Sequence, residues 1–397
     1  MFGTSSRSVW VGRSTILVMG TVTDLDSRAS RSPLSTDCGA VAATLTATRE
    51  RRGLTAKQVA DALGRSPSYV SRAESGDGSV SGADLTLWAQ VLDVTEELLC
   101  TVLPQEPPEG VHFRSQAVTK RLQDRLIQHA NFAGWMLNRL HEDTLATAVH
   151  PRSVPQLDVD LLDEGPEEAA QLVRKAWRLH GPVSDVAGLL ESAGIMILPM
   201  PADVDKVDAI SVRTTGPVTA VILLNPETPE DRQRHTLAHE LGHLVMDELS
   251  GVSLGLKEIE KRADRFAAEF LAPYGSLRDE LRGITPARID ALDDLRRRWG
   301  VSLSALVRRA HVHADITESQ YRYWFRTLNA RNLLRDKRRS TYPVRPQAAA
   351  EFLTSLRSSR YAVADIAAIT ATRPRELQDV FGDSWPFPRL RPQLSSV

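Results

Sequence analysis

His239-Glu240-Leu241-Gly242-His243 sets two imidazoles four residues apart with a carboxylate between them. On an α-helix four residues advance about 400°, so both rings leave one face about 6 Å apart along the axis, which suits two ligands of one tetrahedral metal. A hydrolytic zinc also needs a third protein ligand and an open position for water. The following acid-rich stretch, 257–271, offers Glu258, Glu260, Asp264 and Glu269. At about 100° per residue its apolar face centres on Ile259, Ala263, Phe266, Ala267 and Phe270; Glu260 lies about 75° from that centre, and Asp264 and Glu269 lie further round. Glu260 is therefore the acid at the core edge, where a ligand must point. His235, one turn before His239, reads as a packed surface histidine rather than as a competing ligand.

A different chemistry lies near the N-terminus. In 54–64 the apolar residues Val59, Ala60 and Leu63 share one helix face, Thr55 can cap its start and Gly64 its end. Ser66-Pro67 then supplies an N-cap and a proline at the first helical position, with Tyr69, Val70 and Ala73 facing inward. Two short helices joined by a glycine-containing turn have the geometry that sets the second helix into the major groove. Between Arg49 and Glu74 stand Arg49, Arg51, Arg52, Lys57, Arg65 and Arg72 against Glu50, Asp61 and Glu74, a local basic surplus of the kind that attracts phosphate.

Elements must position these two constellations. Thr228-Pro229-Glu230-Asp231 starts a helix that runs through His243, and the apolar run 218–224 reads as a strand leading into it. Short strands at 195–198 and 209–213 and helices at 167–179, 183–193 and 257–271 complete a mixed region, and 118–140 has the spacing of one long connecting helix. The fold class expected is α+β, mainly α: 1–38 a disordered tail, 39–103 a helix-turn-helix domain, 104–165 a Pro-rich linker and connecting helix, 166–283 a zincin-like domain with a small sheet, and 284–397 a helical C-terminal region. The Arg-rich run 331–339 reads as a solvated face rather than a nucleic-acid contact.

Composition sets outer bounds. The chain has 397 residues, 42 % hydrophobic and 25 % charged, which fits a multidomain globular protein and excludes wholesale disorder. Its net charge of −1 gives no reason to expect a polyelectrolyte binder, so any nucleic-acid site must be local. Two cysteines, Cys38 and Cys100, are too few for a disulfide scaffold and favour a reducing compartment. No apolar run approaches the ~20 residues of a membrane helix, so a cytoplasmic location without membrane partners is expected.

The segments Arg49-Glu-Arg-Arg-Gly-Leu-Thr55 and Ser66-Pro-Ser-Tyr-Val-Ser-Arg-Ala-Glu-Ser-Gly76 resemble the Xre/Cro/cI helix-turn-helix regulators over about 60 residues. The resemblance implies contacts to double-stranded DNA from Gln58, Ser68, Tyr69, Ser71 and Arg72. Asp77-Gly-Ser-Val-Ser81 departs from that family, which has a basic residue and a proline there. Arg234-His-Thr-Leu-Ala-His-Glu-Leu-Gly-His243, Glu260-Lys-Arg-Ala-Asp-Arg-Phe-Ala-Ala-Glu-Phe-Leu-Ala-Pro273 and Arg298-Trp-Gly-Val-Ser-Leu-Ser-Ala-Leu306 resemble the ImmA/IrrE metallopeptidases. That likeness implies Zn2+ on His239, His243 and Glu260, in agreement with the helical wheel, and the general base on Glu240. Asp264 stands where that family often has Asn and could orient a ligand histidine. The combination implies a transcriptional regulator whose zinc-dependent endopeptidase domain cleaves a protein partner such as an Xre-type repressor, with a homodimer left open. The rival reading is a transcription factor whose peptidase-like domain senses and does not cleave.

Overall fold

The computed structural model describes residues 15–18, 41–104, 118–144, 146–246, 255–333 and 341–388. Helices α1 (Ala42–Arg51), α2 (Ala56–Leu63), α3 (Pro67–Ser75), α4 (Gly82–Val91) and α5 (Glu96–Leu99) form the N-terminal bundle. Local chemistry sets their ends. Thr55 caps α2 with a full capping box, its side chain accepting from the Gln58 N–H while the Gln58 side chain accepts from the Thr55 N–H. Gly64 ends α2 at φ 63°, a left-handed conformation that glycine adopts without a Cβ penalty. Ser66 caps α3 and Pro67 occupies its first turn. Cys100, just after α5, is disulfide-bonded, a state that the reading of a reducing compartment does not anticipate.

The long helix arrives as α6 (Lys120–Asp143), close to the span expected from its periodicity. It is more than a connector, because Leu126, Ala130, Ala133, Met136, Leu137 and Leu140 run through the middle of a core that also holds Val59, Val70 and Trp88 of the N-terminal bundle. After it comes β2 (Ala146–Val149), paired antiparallel with β1 (Thr15–Val18). This pairing corrects the reading of 1–38 as a disordered tail, since four of those residues extend against a strand more than a hundred positions away, which local composition cannot foretell. The rest of that stretch lies outside the described residues.

Helices α7 (Pro166–Ala176) and α8 (Val186–Glu191) lead to a three-stranded sheet of β3 (Ile195–Pro199), β4 (Ala209–Arg213) and β5 (Ala220–Leu224). Its order is β3-β5-β4, with β3 parallel and β4 antiparallel to the central strand; Ile195 pairs with Ala220 and Ala209 with Leu224. Strands that are apolar on both faces must be covered on both. Met196, Leu198, Ile210, Val212, Val221 and Leu223 face the core built on α6. Ile195, Ile197, Ile222 and Leu224 face a second core with α9 (Glu230–Met246) and α10 (Leu256–Leu271).

The second core continues through α11 (Tyr274–Leu281), α12 (Ile289–Trp299), α13 (Leu303–Val312) and α14 (Glu318–Ala330). The last helices, α15 (Ala348–Ser358), α16 (Val363–Ile369) and α17 (Pro374–Phe381), return to the first core. Their route is fixed by polar contacts as well as packing. Glu191, buried at the end of α8, accepts from the Gln347 N–H at 2.9 Å and the Ala348 N–H at 3.0 Å, so one carboxylate caps α15. Burial pushes that carboxyl up to about 8, against the pull of the same hydrogen bonds. The C-terminal stretch is thus divided, its first half packed with the zincin-like region and its second half with the helix-turn-helix. Most of the Arg-rich run, 334–339, lies outside the described residues. Among the described residues no helix is long and apolar enough to cross a membrane.

Candidate functional site

Helix α9 is buried almost throughout, because the sheet lies on one side of it and α10 on the other. Gly242 allows that close approach, since a Cβ there would stand 3.1 Å from the Phe266 ring of α10. His239, Glu240 and His243 are all buried, at 3 %, 5 % and 4 % exposure, on the stretch of α9 opposite the start of α10. Glu260 reaches across from α10. Its oxygens lie 3.4 Å from His239 Nε2 and 3.5 Å from His243 Nε2, and the two Nε2 atoms are 3.1 Å apart.

These separations allow a test of fit to a metal. Four donors at about 2.0–2.1 Å around a tetrahedral zinc stand about 3.3–3.4 Å from one another. His239, His243 and Glu260 each offer one ligand atom, all within 4.8 Å, as a candidate metal group among the described residues. Both Glu260 oxygens are buried without a hydrogen-bond partner of good geometry, which is costly unless a cation takes them. Asp264 Oδ1 lies 2.9 Å from His239 Nδ1. An ionised carboxylate only accepts, so Nδ1 carries the proton and the Nε2 lone pair faces the cluster. Burial works to lower the His239 pKa, yet the neighbouring Asp264 and Glu260 carboxylates outweigh it and raise the value. Glu260 is likewise pushed up by burial but held well below the ordinary carboxylate range by the two histidines.

Ser211 on β4 was not indicated by any motif. Buried at 5 % exposure, its hydroxyl donates to Glu240 Oε2 at 2.6 Å. The packing of β4, held in the sheet by its antiparallel pairing with β5, directly against α9 brings a residue 29 positions away to that carboxylate, so the single signal in the sequence was a polar residue inside an apolar strand. His235 is half-buried with its ring 6.3 Å from that of His239 and is not among the grouped ligands. Glu269 departs from the helical-wheel reading. Rather than lying off the buried face it is 2 % exposed, paired with Arg309 of α13 and accepting from the Gln171 amide at 3.0 Å. The wheel assumes one buried face, whereas α10 is covered on two.

On the N-terminal bundle the outward-facing set is smaller than the resemblance implies. Gln58, Ser68, Ser71 and Arg72 are exposed, while Tyr69 is half-buried. The Tyr69 hydroxyl donates to Asp84 at 3.1 Å and its ring lies 6.5 Å from that of Trp88, so this side chain is turned to α4 and not to a groove. The basic surplus is reduced in the same way. Arg49 forks onto Glu74 at 2.6 and 3.0 Å, Arg65 pairs with Asp84 at 2.8 Å, and Arg51 and Arg52 both pair with Glu376 of α17. Of the six cations only Lys57 and Arg72 form no ion pair among the described residues. Counting charges along the sequence could not separate those that face phosphate from those that tie the domain together.

Residues 40–100 match the helix-turn-helix domain family and residues 190–311 match the IrrE N-terminal-like domain of the M78 peptidases. The chain joins these two domains. The first match covers α1 to α5, and the second runs from α8 through the sheet, α9 and α10 to α13, so it contains the whole histidine–glutamate cluster. The second domain is of metallopeptidase type, a family whose members carry a metal. No curated protein matches the chain.

Proposed function

We propose that this protein is a DNA-binding transcriptional regulator whose second domain is a zinc-dependent endopeptidase acting on a regulatory protein, an Xre-type repressor being the substrate class that best suits its own DNA-binding half. The observation that carries the reading is the convergence of His239, His243 and Glu260 beside a buried Glu240 that no ligand role requires. His239, His243 and Glu260 would hold the ion, and a zinc ion there would supply Lewis acidity to a scissile carbonyl and acidify a water. Glu240 receives the proton of the attacking water and returns it to the leaving amine. Ser211, by donating to Oε2, fixes the rotamer of Glu240 and leaves its other oxygen to take that proton. Asp264 holds the His239 tautomer. Work on DNA and a DNA-bound partner puts the chain in the cytoplasm.

Glu240→Gln tests the reading, because it preserves shape and leaves the three ligands in place. In a strain carrying this change on the chromosome, a co-expressed partner should accumulate uncut and the transcriptional response should be lost, while zinc content and DNA binding of the purified variant stay at wild-type levels. A normal response with no partner fragment in either strain would sink the peptidase reading and leave a zinc-bearing sensor.

We assign base contacts to Ser68, Ser71 and Arg72 on α3 and a flanking contact to Gln58, and withdraw Tyr69. The double change Arg72→Ala, Ser71→Ala should weaken binding to the native operator by about 1–3 kcal/mol, and should lower the slope of log K on log salt by about one. Fluorescence anisotropy at fixed salt measures the first and a salt series the second. Unchanged affinity would remove α3 from the groove.

A further inference from the structure

Where the end of the N-terminal bundle, α6 and the β4–β5 turn meet, there is a cavity of about 240 Å³. Asn131, Trp135, Arg139 and Glu142 line it from one face of α6, with Val102 and Thr214 opposite. Asn131 is 6 % exposed, and neither its amide oxygen nor its amide nitrogen has a hydrogen-bond partner. Leaving both ends of a buried amide unmade is costly, and an amide that lines a cavity can recover both bonds from an occupant. The neighbouring Asn138 shows the contrast, since its amide is saturated by the Thr215 and Val218 carbonyls and the Val218 N–H.

Two charges of opposite sign stand at the same cavity. Arg139 is half-buried and Glu142 exposed, three residues apart on α6, and neither side chain pairs with the other or with any other described residue. The Trp135 ring, stacked on Phe132 at 5.8 Å, adds an apolar wall. The volume lies below the ~300–1,000 Å³ of drug-sized pockets, so the occupant is metabolite-sized. From these groups we infer that the cavity is a binding site for a small zwitterion of the free α-amino-acid class. Its carboxylate meets Arg139, its ammonium meets Glu142, and a polar group further in meets the Asn131 amide while the rest lies on Trp135. Because the walls come from both domains, occupancy is felt by the DNA-binding bundle and the sheet alike.

The full-length protein is titrated with each of the twenty free amino acids at millimolar concentration, reading calorimetric heat and the fluorescence change that is lost in a Trp135→Phe control. At least one amino acid should bind, and Arg139→Gln and Glu142→Gln should each weaken it tenfold or more. Asn131→Leu should also abolish the binding while raising the thermal midpoint of the unliganded protein, because it removes an unpaired buried amide. The inference is overturned if no amino acid binds, if both charge variants bind as the wild type does, or if acetate or methylamine alone competes as well as the amino acid. Preferential binding of free nucleobases in the same assay would overturn it too. Neither Arg139 nor Glu142 is buried, so both variants keep the fold, and none of these readouts depends on peptidase activity.

Discussion

Glu260→Ala should leave the purified protein with almost no zinc, where the wild type holds about one ion per chain. The expectation follows from the count of donors: two imidazoles and a carboxylate make a tight site, and removal of the carboxylate leaves two neutral nitrogens with two further positions to fill from water. Asp264→Ala should have a smaller effect, of about 10–100-fold in affinity, since Asp264 touches His239 Nδ1 and not the cluster. Glu269→Ala should leave the metal unchanged and instead lower stability, because it strands Arg309 in a buried site. Metal content by mass spectrometry after dialysis, with competition against a chelator for the affinities, separates the three. Full zinc in Glu260→Ala would break the ligand assignment even if the protein cleaved its partner.

That ordering shows what was legible in the sequence and what was not. Wherever a feature is encoded within about one helical turn or one strand, the residues announce it. Thr55 marks the start of α2, Gly64 marks its end, and 209–213 reads as the strand that β4 is. The fold class and the reach of Glu260 rest on such local periodicity, and the pair of domains on short motifs and the family likeness they carry. Features that depend on what arrives from elsewhere were hidden. Glu269 is buried because α13 brings Arg309 to it from 40 positions on, and Ser211 meets Glu240 only through the sheet. Arg51 and Arg52 read as phosphate contacts until a glutamate more than 320 residues away is found to hold both. A sequence pattern carries the face on which a residue stands, but not the identity of the element that will cover that face.

Glu376→Ala should therefore destabilise the first core by about 3–5 kcal/mol, the cost of leaving a buried charge without its partner. The Glu376 side chain is 2 % exposed and that of Arg51 is 5 %, and Arg52 adds a second contact at 3.2 Å. The Arg51 guanidinium also lies 3.8 Å above the centre of the Phe132 ring, so it cannot swing to solvent without vacating the α1–α6 interface. Burial already lowers the Arg51 pKa, and Glu376 is the main influence opposing that shift. Two further ties cross the same joint: the Thr95 hydroxyl donates to the Ala371 carbonyl, and Arg373 donates to Asp93 and, at 2.9 Å, to the Val94 carbonyl. Losing Glu376 should consequently loosen α1, α6 and α15 to α17 together and spare α9 and α10, whose core contains none of these residues. Hydrogen exchange followed by mass spectrometry reads both arms in one experiment, and a single unfolding midpoint would not, because two cores need not melt as one. Replacing the pair with apolar residues, Arg51→Met with Glu376→Leu, should recover most of the loss, since a buried ion pair contributes little over a well-packed apolar pair. Faster exchange spread equally over both cores would mean that the C-terminal helices support the whole chain. No change anywhere would mean that Arg51 finds water or another acid in the absence of Glu376, and that the helix-turn-helix is held by its apolar contacts alone.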